Sequence, residues 1–198
     1  MAEKNGHHSG EPWLDEQGRL HETDESVANK CLTLASMIVI EHPNVTEELP
    51  KLIYLPKGGF GPTNIVARLL EYPTTSLCAA AIGSYKKGSV VNGIPELGQM
   101  PTTEDIAGNN VLIIDEVCDT GNTLTLLTDL LKLAGAGVIK TAVLHYKPNK
   151  SQTDFVPDWH VQQTDDWIVY PWEVYEDMGT RLTVAGSRLA VLTQLEII

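Results

Sequence analysis

A run of acidic, hydroxyl and glycine residues follows one apolar stretch, and these residue types suit phosphate and sugar binding. Apolar residues 111–114 precede Asp115 and Glu116, and Asp119-Thr120-Gly121-Asn122-Thr123 follows two residues later. At the start of a helix, such a run offers backbone N–H groups to an anion. The carboxylates suit ribose hydroxyls or Mg²⁺, and an acid in the same run can accept a proton. A capped strand–helix turn with solvated acids explains the residue types equally well, so both interpretations stay open here.

A second candidate anion site follows an earlier apolar segment. Residues 51–55 read as a buried strand, and Pro56-Lys57-Gly58-Gly59 comes directly after them. Small residues let backbone amides approach a diphosphate closely, and Lys57 adds positive charge. The alternative is an ordinary strand–helix turn.

Apolar periodicity predicts the elements that position these segments. A helix begins at Thr23 or Asp24 and ends at His42-Pro43-Asn44. The remaining elements are strands at 51–55, 76–82, 111–114 and 138–144, and helices at 63–70 and 123–134. Alternating strands and helices indicate a parallel sheet with right-handed crossovers. The segment 83–109 reads as a long loop with room for an edge hairpin, and a loop of this length in a compact domain is typical of a lid.

Length and composition limit the possible classes of protein. With 198 residues, we expect one α/β domain, with a core at about 24–147 and a small hood from residues 1–22 and 148–198. The net charge of −12 argues against nucleic-acid binding. No apolar run reaches the roughly 20 residues that cross a bilayer, so we expect no membrane partner. Three widely spaced cysteines and the polar N-terminus favour a cytoplasmic protein.

The segment VLIIDEVCDTGNTL at 111–124 resembles the motif that binds 5-phosphoribosyl 1-diphosphate (PRPP) in the type I phosphoribosyltransferases. The resemblance implies a Rossmann-like parallel sheet flanked by helices and the use of Mg²⁺. It implies that Asp115 and Glu116 hold the ribose hydroxyls and the metal, while Asp119, Thr120, Gly121, Asn122 and Thr123 bind the 5′-phosphate. A P-loop is excluded because Ser89-Val90 follows the glycine spacing at 83–88, where Lys-Ser or Lys-Thr is required.

Other segments resemble the purine enzymes of this family. Ser84-Tyr85 resembles a Ser-Tyr pair that opens a mobile loop and contacts PRPP, and the peptide entering Lys57 is a candidate for a cis bond. Lys147-Pro148 and the later Trp-Ile-x-x-Pro-Trp-Glu run resemble the 6-oxopurine enzymes. This implies that Lys147 donates to the purine 6-oxygen, that Trp167 stacks on the base and that the Ile168 backbone meets its exocyclic edge. Glu173 would face the metal and the diphosphate.

We therefore expect a transferase that moves the phosphoribosyl group of PRPP to hypoxanthine, guanine or xanthine. Asp119 is the candidate catalytic acceptor of the purine N7 proton. The alternatives are transfer to adenine, orotate or uracil, and a non-catalytic PRPP-binding regulator on the same fold. Enzymes of this kind are often dimers or tetramers, so we expect a homo-oligomer. His145 is expected to be structural, and Cys118 to be a poor nucleophile because acids flank it.

Overall fold

The computed structural model describes residues 10–83, 85–86, 89–90 and 96–173. Its elements, in chain order, are β1 (Trp13–Leu14), β2 (Leu20–His21), α1 (Asp24–Glu41), α2 (Val45–Glu48), β3 (Lys51–Tyr54), α3 (Phe60–Leu69), β4 (Leu77–Ala79), β5 (Ile82–Gly83), β6 (Tyr85–Lys86), β7 (Ser89–Val90), β8 (Glu96–Leu97), α4 (Thr103–Ile106), β9 (Val111–Cys118), α5 (Asn122–Leu133), β10 (Ile139–Tyr146), β11 (Trp159–Gln163) and β12 (Ile168–Val169). Short 3-10 turns lie at Thr74–Ser76, Pro148–Lys150 and Pro171–Glu173.

A five-stranded parallel sheet in the order β11-β10-β9-β3-β4 forms the centre of the large unit. Its middle strands are nearly continuous runs of fully buried residues, such as residues 111–114 of β9, because helices cover both faces of a parallel sheet. The predicted α/β fold with a parallel sheet is confirmed.

Helix α1 begins where the sequence predicts. The Thr23 Oγ1 atom accepts a hydrogen bond from the Ser26 backbone N–H at 3.0 Å, and Ser26 Oγ accepts one from the Thr23 N–H at 2.8 Å. This reciprocal cap satisfies amides that have no partner inside the helix. The buried face of α1 includes five of the six predicted apolar positions, Val27, Cys31, Leu34, Ala35 and Ile38, whereas the sixth, Val39, is exposed.

Two predicted elements have different lengths in the structure. Helix α3 begins at Phe60 rather than residue 63, because Pro62 in its first turn has no intrahelical hydrogen bond to lose. Strand β9 continues to Cys118 rather than ending at residue 114. Its polar residues stay in the strand because β10 pairs with it as far as Tyr146 and Cys118. Asp115 and Glu116 therefore lie within the strand and not in the loop after it.

Two edge strands also differ from the sequence prediction. The predicted strand at 76–82 is reduced to Leu77–Ala79, and its residues are only half-buried. Strand β11 was missed because Trp159–Gln163 contains few apolar residues. The sheet tolerates this composition since an edge strand is partly exposed. The hairpin β6–β7 forms a separate two-stranded sheet, in the region where the sequence predicts a long loop.

The chain divides into two compact units. The large unit spans Val27–Asp165, and the small unit is formed by both chain ends, of which residues 10–26 and 166–173 are described. In the small unit, β2 pairs with β1 and with β12. Residues 148–165, which we assigned to the hood, belong to the large unit because β11 pairs with β10. Within the described ranges, every helix is too short or too polar to cross a membrane.

Candidate active site

The parallel sheet brings three of the predicted segments to one end. In register, Tyr54 of β3 lies opposite Ile114 of β9, and Cys118 of β9 lies opposite Tyr146 of β10. Ligands of open α/β sheets bind beyond the carboxyl ends of the strands. The turn at Lys57, the acids after residue 114 and Lys147 therefore share the carboxyl end of the sheet.

Glycines 58 and 59 pack directly against the acidic pair. A β-carbon at Gly58 would collide with the Glu116 carboxylate, and one at Gly59 would lie 2.8 Å from Asp115 Oδ1 and 2.9 Å from the Leu55 carbonyl oxygen. A larger residue at either position would force the carboxylates or the backbone to move. The turn at Gly58-Gly59 and the acidic pair, which the sequence predicts as separate features, are therefore in direct contact.

Asp115 is buried, with 8% of its surface exposed, and its Oδ1 accepts the Glu116 backbone N–H at 3.0 Å. Burial raises the pKa of Asp115 well above its usual value, and the neighbouring Glu116 carboxylate raises it further. A divalent cation beside these carboxylates would offset both effects. No group of three or more metal-ligating side chains occurs among the described residues. Two hard oxygen donors still fit Mg²⁺, which commonly takes one or two carboxylates and completes its shell with phosphates and water.

Lys57 is exposed and has a left-handed backbone, with a φ of 43°. Residues other than glycine rarely adopt this conformation, and such strain is concentrated at functional sites. The predicted candidate for a cis bond is wrong, since all described peptide bonds are trans, including the one entering Lys57. The backbone reverses direction here through the φ angle of Lys57 instead.

The predicted phosphate loop, residues 119–123, runs into the first turn of α5, which begins at Asn122. Gly121 has a φ of +80° and caps the helix, which explains the glycine because other residues are strained in this conformation. The Thr120 side chain oxygen accepts the Asn122 N–H at 3.4 Å, and the Gly121 carbonyl accepts the Thr125 N–H at 2.9 Å. The loop thus opens a twelve-residue helix, whose N-terminal amides and dipole favour an anion.

Sequence reasoning missed a segment that packs against this loop, residues 151–155, which we call the strap. Its Gln152 N–H donates to the Thr120 carbonyl oxygen at 2.8 Å. A β-carbon at Gly121 would collide with the Thr153 hydroxyl. The sequence signal was weak, since Ser151, Gln152 and Thr153 are ordinary loop residues.

Lys147 and Asp119, predicted from separate motifs, come together. The Lys147 Nζ atom lies 3.4 Å from Asp119 Oδ2, and only 7% of the Lys147 side chain is exposed against 35% for Asp119. The Lys147 backbone N–H donates to the Cys118 carbonyl at 3.0 Å, which holds the end of β10 against that of β9. The Lys147 ammonium is therefore nearly buried beside Asp119, whereas the Asp119 carboxylate keeps access to solvent.

The neighbouring Cys118 and His145 are buried in the strands. Burial raises the pKa of the Cys118 thiol to about 12, and Asp115 and Asp119 contribute to the increase. A thiol with that pKa is protonated at neutral pH and is a poor nucleophile.

The remaining predicted site residues are Trp167, Ile168, Glu173, Ser84 and Tyr85. Trp167, Ile168 and Glu173 belong to the small unit. Trp167 is 58% exposed, its carbonyl accepts the Leu20 N–H at 2.8 Å, and Ile168 is buried in β12. Ser84 lies outside the described residues, and Tyr85 begins β6. The roles of these residues stay predictions.

Curated proteins that match the chain carry purine phosphoribosyltransferase names. The xanthine-guanine phosphoribosyltransferase of Idiomarina loihiensis is 26% identical over 172 residues, which cover 86% of this chain and 92% of the relative. The hypoxanthine-guanine phosphoribosyltransferase of Streptococcus thermophilus is 30% identical over 139 residues, covering 69% and 73% of the two chains.

A solved structure extends this similarity to the fold. The purine phosphoribosyltransferase of Pyrococcus horikoshii superposes with a TM-score of 0.62 at 30% identity, covering 78% of this chain and 93% of that one. The family model of the phosphoribosyl transferase domain matches residues 27–178, a range that contains β3, β9, β10 and the turns between them. The chain therefore belongs to the phosphoribosyl transferase family.

Proposed function

We propose that this protein is a purine phosphoribosyltransferase that transfers the 5-phosphoribosyl group of PRPP to a 6-oxopurine, forming a nucleoside monophosphate and pyrophosphate. The observation that carries the proposal is the pair of Lys147 Nζ and Asp119 Oδ2, 3.4 Å apart beside the phosphate loop. The names of the relatives from Idiomarina loihiensis and Streptococcus thermophilus support the same substrate class.

For PRPP binding, the proposal assigns roles to the turn at Lys57, to Asp115 and Glu116 in β9, and to the loop that follows β9. Backbone amides at Gly58 and Gly59, with the Lys57 charge, would take the diphosphate. Asp115 and Glu116 would bind the ribose hydroxyls, and the loop from Asp119 to Thr123 would take the 5′-phosphate. Ser84 and Tyr85 would close over PRPP, which protects a cationic ribose centre from water.

Mg²⁺ would be held by Asp115 and Glu116, with Glu173 on the diphosphate side. When bound, it would neutralise charge on the leaving diphosphate. The burial of Asp115 beside a second carboxylate supports this assignment, because such a pair favours a cation.

The base half of the proposal follows from the chemistry of one purine edge. The 6-oxygen and N7 lie side by side on that edge, so a donor and an acceptor must also be adjacent to read it. Lys147 supplies the donor and Asp119 supplies the acceptor for the N7 proton. Stacking on Trp167 would add about 1–3 kcal/mol, and the Ile168 backbone would meet the exocyclic edge.

The proposed reaction breaks the bond between ribose C1 and the diphosphate oxygen and forms a bond from C1 to a base nitrogen. Positive charge develops on the ribose as the diphosphate leaves, and the Asp115 and Glu116 carboxylates stabilise it electrostatically. The N7 proton of the base passes to Asp119. Pyrophosphate carries away the electron pair of the broken bond.

The test is a steady-state panel of hypoxanthine, guanine, xanthine, adenine, uracil and orotate with PRPP and Mg²⁺, on the wild type and on Lys147→Ala. Loss of a charged hydrogen bond to the 6-oxygen should lower kcat/KM for the oxopurines about 10- to 100-fold. Lys132→Ala is the matched control, since its ammonium pairs at the surface with Asp129. Full hypoxanthine and guanine turnover by Lys147→Ala would overturn the assignment.

The same panel separates the alternatives. Turnover of adenine, uracil or orotate alone would identify a transferase for another base. PRPP binding without nucleotide formation from any base would identify a non-catalytic regulator. We also propose a cytoplasmic homo-oligomer, a dimer or tetramer, organised as one domain. Cys31, Cys78 and Cys118 are all free thiols, which is typical of a reducing compartment.

A further inference from the structure

Two hydrogen bonds join the strap, residues 151–155, to the predicted phosphate loop, and a third joins it to Thr125 of α5. We infer that Gln152 and Thr153 are positioning residues that hold Thr120, Gly121 and Asn122 in the shape that receives the 5′-phosphate. The inference rests on the proposed function for the identity of the phosphate. It concerns residues that no sequence motif singled out.

The first contact fixes the orientation of a peptide plane. The Gln152 N–H donates to the Thr120 carbonyl oxygen at 2.8 Å. In a planar trans peptide, the carbonyl and the following N–H point in opposite directions. The Gly121 N–H is therefore directed away from the strap. Because Gly121 has a left-handed backbone and glycine is conformationally free, this orientation depends on an external restraint.

The second set of contacts uses side chains. Asn122 Nδ2 donates to Gln152 Oε1 at 3.0 Å, and Thr125 Oγ1 lies 3.3 Å from Thr153 Oγ1. The Thr153 hydroxyl also abuts Gly121 so closely that a β-carbon there would collide with it. The strap thus contacts Thr120 and Gly121 before α5 as well as Asn122 and Thr125 in its first turn.

The strap itself is anchored independently of the loop. Before it, the Asn149 N–H donates to Asp165 Oδ1 at 3.2 Å. Within it, Ser151 Oγ donates to the Thr153 carbonyl at 2.7 Å and the Phe155 N–H donates to Thr153 Oγ1 at 3.3 Å. Phe155 packs against the apolar core cluster, which includes Leu124 and Leu127. A strap held in this way can therefore fix the geometry of the loop that it contacts.

The contacts matter more for ligand geometry than for folding. Gln152 is exposed, and an exposed hydrogen bond adds little to the free energy of unfolding because water replaces it. Displacing a binding amide by a fraction of an ångström weakens a phosphate contact much more. A positioning role therefore predicts a change specific to ligands that carry the 5′-phosphate.

The experiment measures binding of ribose 5-phosphate and of pyrophosphate by calorimetry to two variants. Gln152→Ala removes the side-chain acceptor of Asn122 and keeps the backbone N–H, and Thr153→Val removes the hydroxyl beside Gly121 and Thr125. Both variants should weaken ribose 5-phosphate about three- to tenfold and leave pyrophosphate affinity within about twofold. In turnover, KM for PRPP should rise by the same factor with a smaller change in kcat. Thr153→Ser keeps the hydroxyl and should restore the wild-type affinity.

Gln17→Ala and Thr33→Val are matched controls, since both side chains are exposed and lie outside the strap and loop. Unchanged ribose 5-phosphate affinity in both strap variants would overturn the inference, as would an equal loss for both ligands. A wild type that fails to bind ribose 5-phosphate would overturn it as well. A wild type that binds ribose 5-phosphate but forms no nucleotide from any purine contradicts the proposed function alone.

Discussion

Carboxylate side chains have different partners at the two ends of the five-stranded sheet. At the amino end, the Asp158 carboxylate accepts from the Thr141 N–H at 2.8 Å, the Thr141 hydroxyl at 3.0 Å and Lys140 Nζ at 2.8 Å. Lys51 Nζ likewise lies 3.2 Å from Asp105 Oδ1. These carboxylates have donors of opposite or partial positive charge on several sides, which is an arrangement that stabilises the folded chain.

At the carboxyl end, by contrast, Asp115 and Glu116 are adjacent acids, and burial raises the pKa of Asp115. Lys57 there has a left-handed backbone, and Gly59 is in close contact with Asp115. Such features cost stability and are retained where a ligand compensates for them. We propose from this contrast that charge at the amino end stabilises the folded chain, whereas charge at the carboxyl end binds ligand and supports catalysis.

The largest expected effect concerns activity at the carboxyl end. We expect Asp119→Asn to lower kcat about 100-fold, because an amide does not accept the N7 proton, while the melting temperature changes little. Steady-state kinetics with hypoxanthine and PRPP measures kcat, and a thermal melt of the same preparation measures the melting temperature. Asp129→Asn, at an exposed position of α5, is the control. If Asp119→Asn keeps kcat within twofold of wild type, the proposed catalytic role of the carboxyl end of the sheet is contradicted.

An intermediate effect is expected on stability at the amino end. Asp158→Ala removes the acceptor of the buried Thr141 and should lower the free energy of unfolding by about 1–3 kcal/mol. Its kcat and KM should match the wild type. Urea denaturation and kinetics on the same preparation check both, with Asp129→Ala as the surface control. Reduced kcat in a fully folded Asp158→Ala would show that the amino end also affects catalysis.

The smallest effect is expected from the pH dependence of Asp115. Its raised pKa means that the charged form destabilises the folded state above that pKa, and that this cost disappears as pH falls toward the unfolded value near 4. Without divalent cations, Asp115→Asn should therefore be more stable than wild type at pH 8, by about 0.5–2 kcal/mol. The difference should shrink toward pH 5.

The free energies of unfolding of the wild type and of Asp115→Asn are measured by urea denaturation at both pH values, with and without Mg²⁺. Adding Mg²⁺ should stabilise the wild type at pH 8 and have a smaller effect on the variant. Asp158→Asn is the matched control at the amino end and should not gain stability at pH 8. A variant that is less stable than wild type at pH 8 would contradict the electrostatic account.

The elements with strong periodicity were predictable, and those at the sheet margins were not. Helix α1 matched the predicted apolar spacing and cap, and the buried middle strands were read correctly because residues such as those at 111–114 are uniformly apolar. Strand β11 was missed since a strand paired on one side needs little apolar character. The extension of β9 to Cys118 was missed since the pairing of Asp115 and Glu116 with β10 is a long-range property.

Residue order and periodicity along the chain are sufficient to predict the family, the parallel α/β sheet and the phosphate-binding segment at 119–123. They do not predict that Lys147 meets Asp119 at 3.4 Å, that Gly58 and Gly59 pack on the acidic pair or that the strap contacts the phosphate loop. The physical reason is that parallel strands bring together their carboxyl ends from distant parts of the chain, and distances across strands leave no trace in local residue spacing.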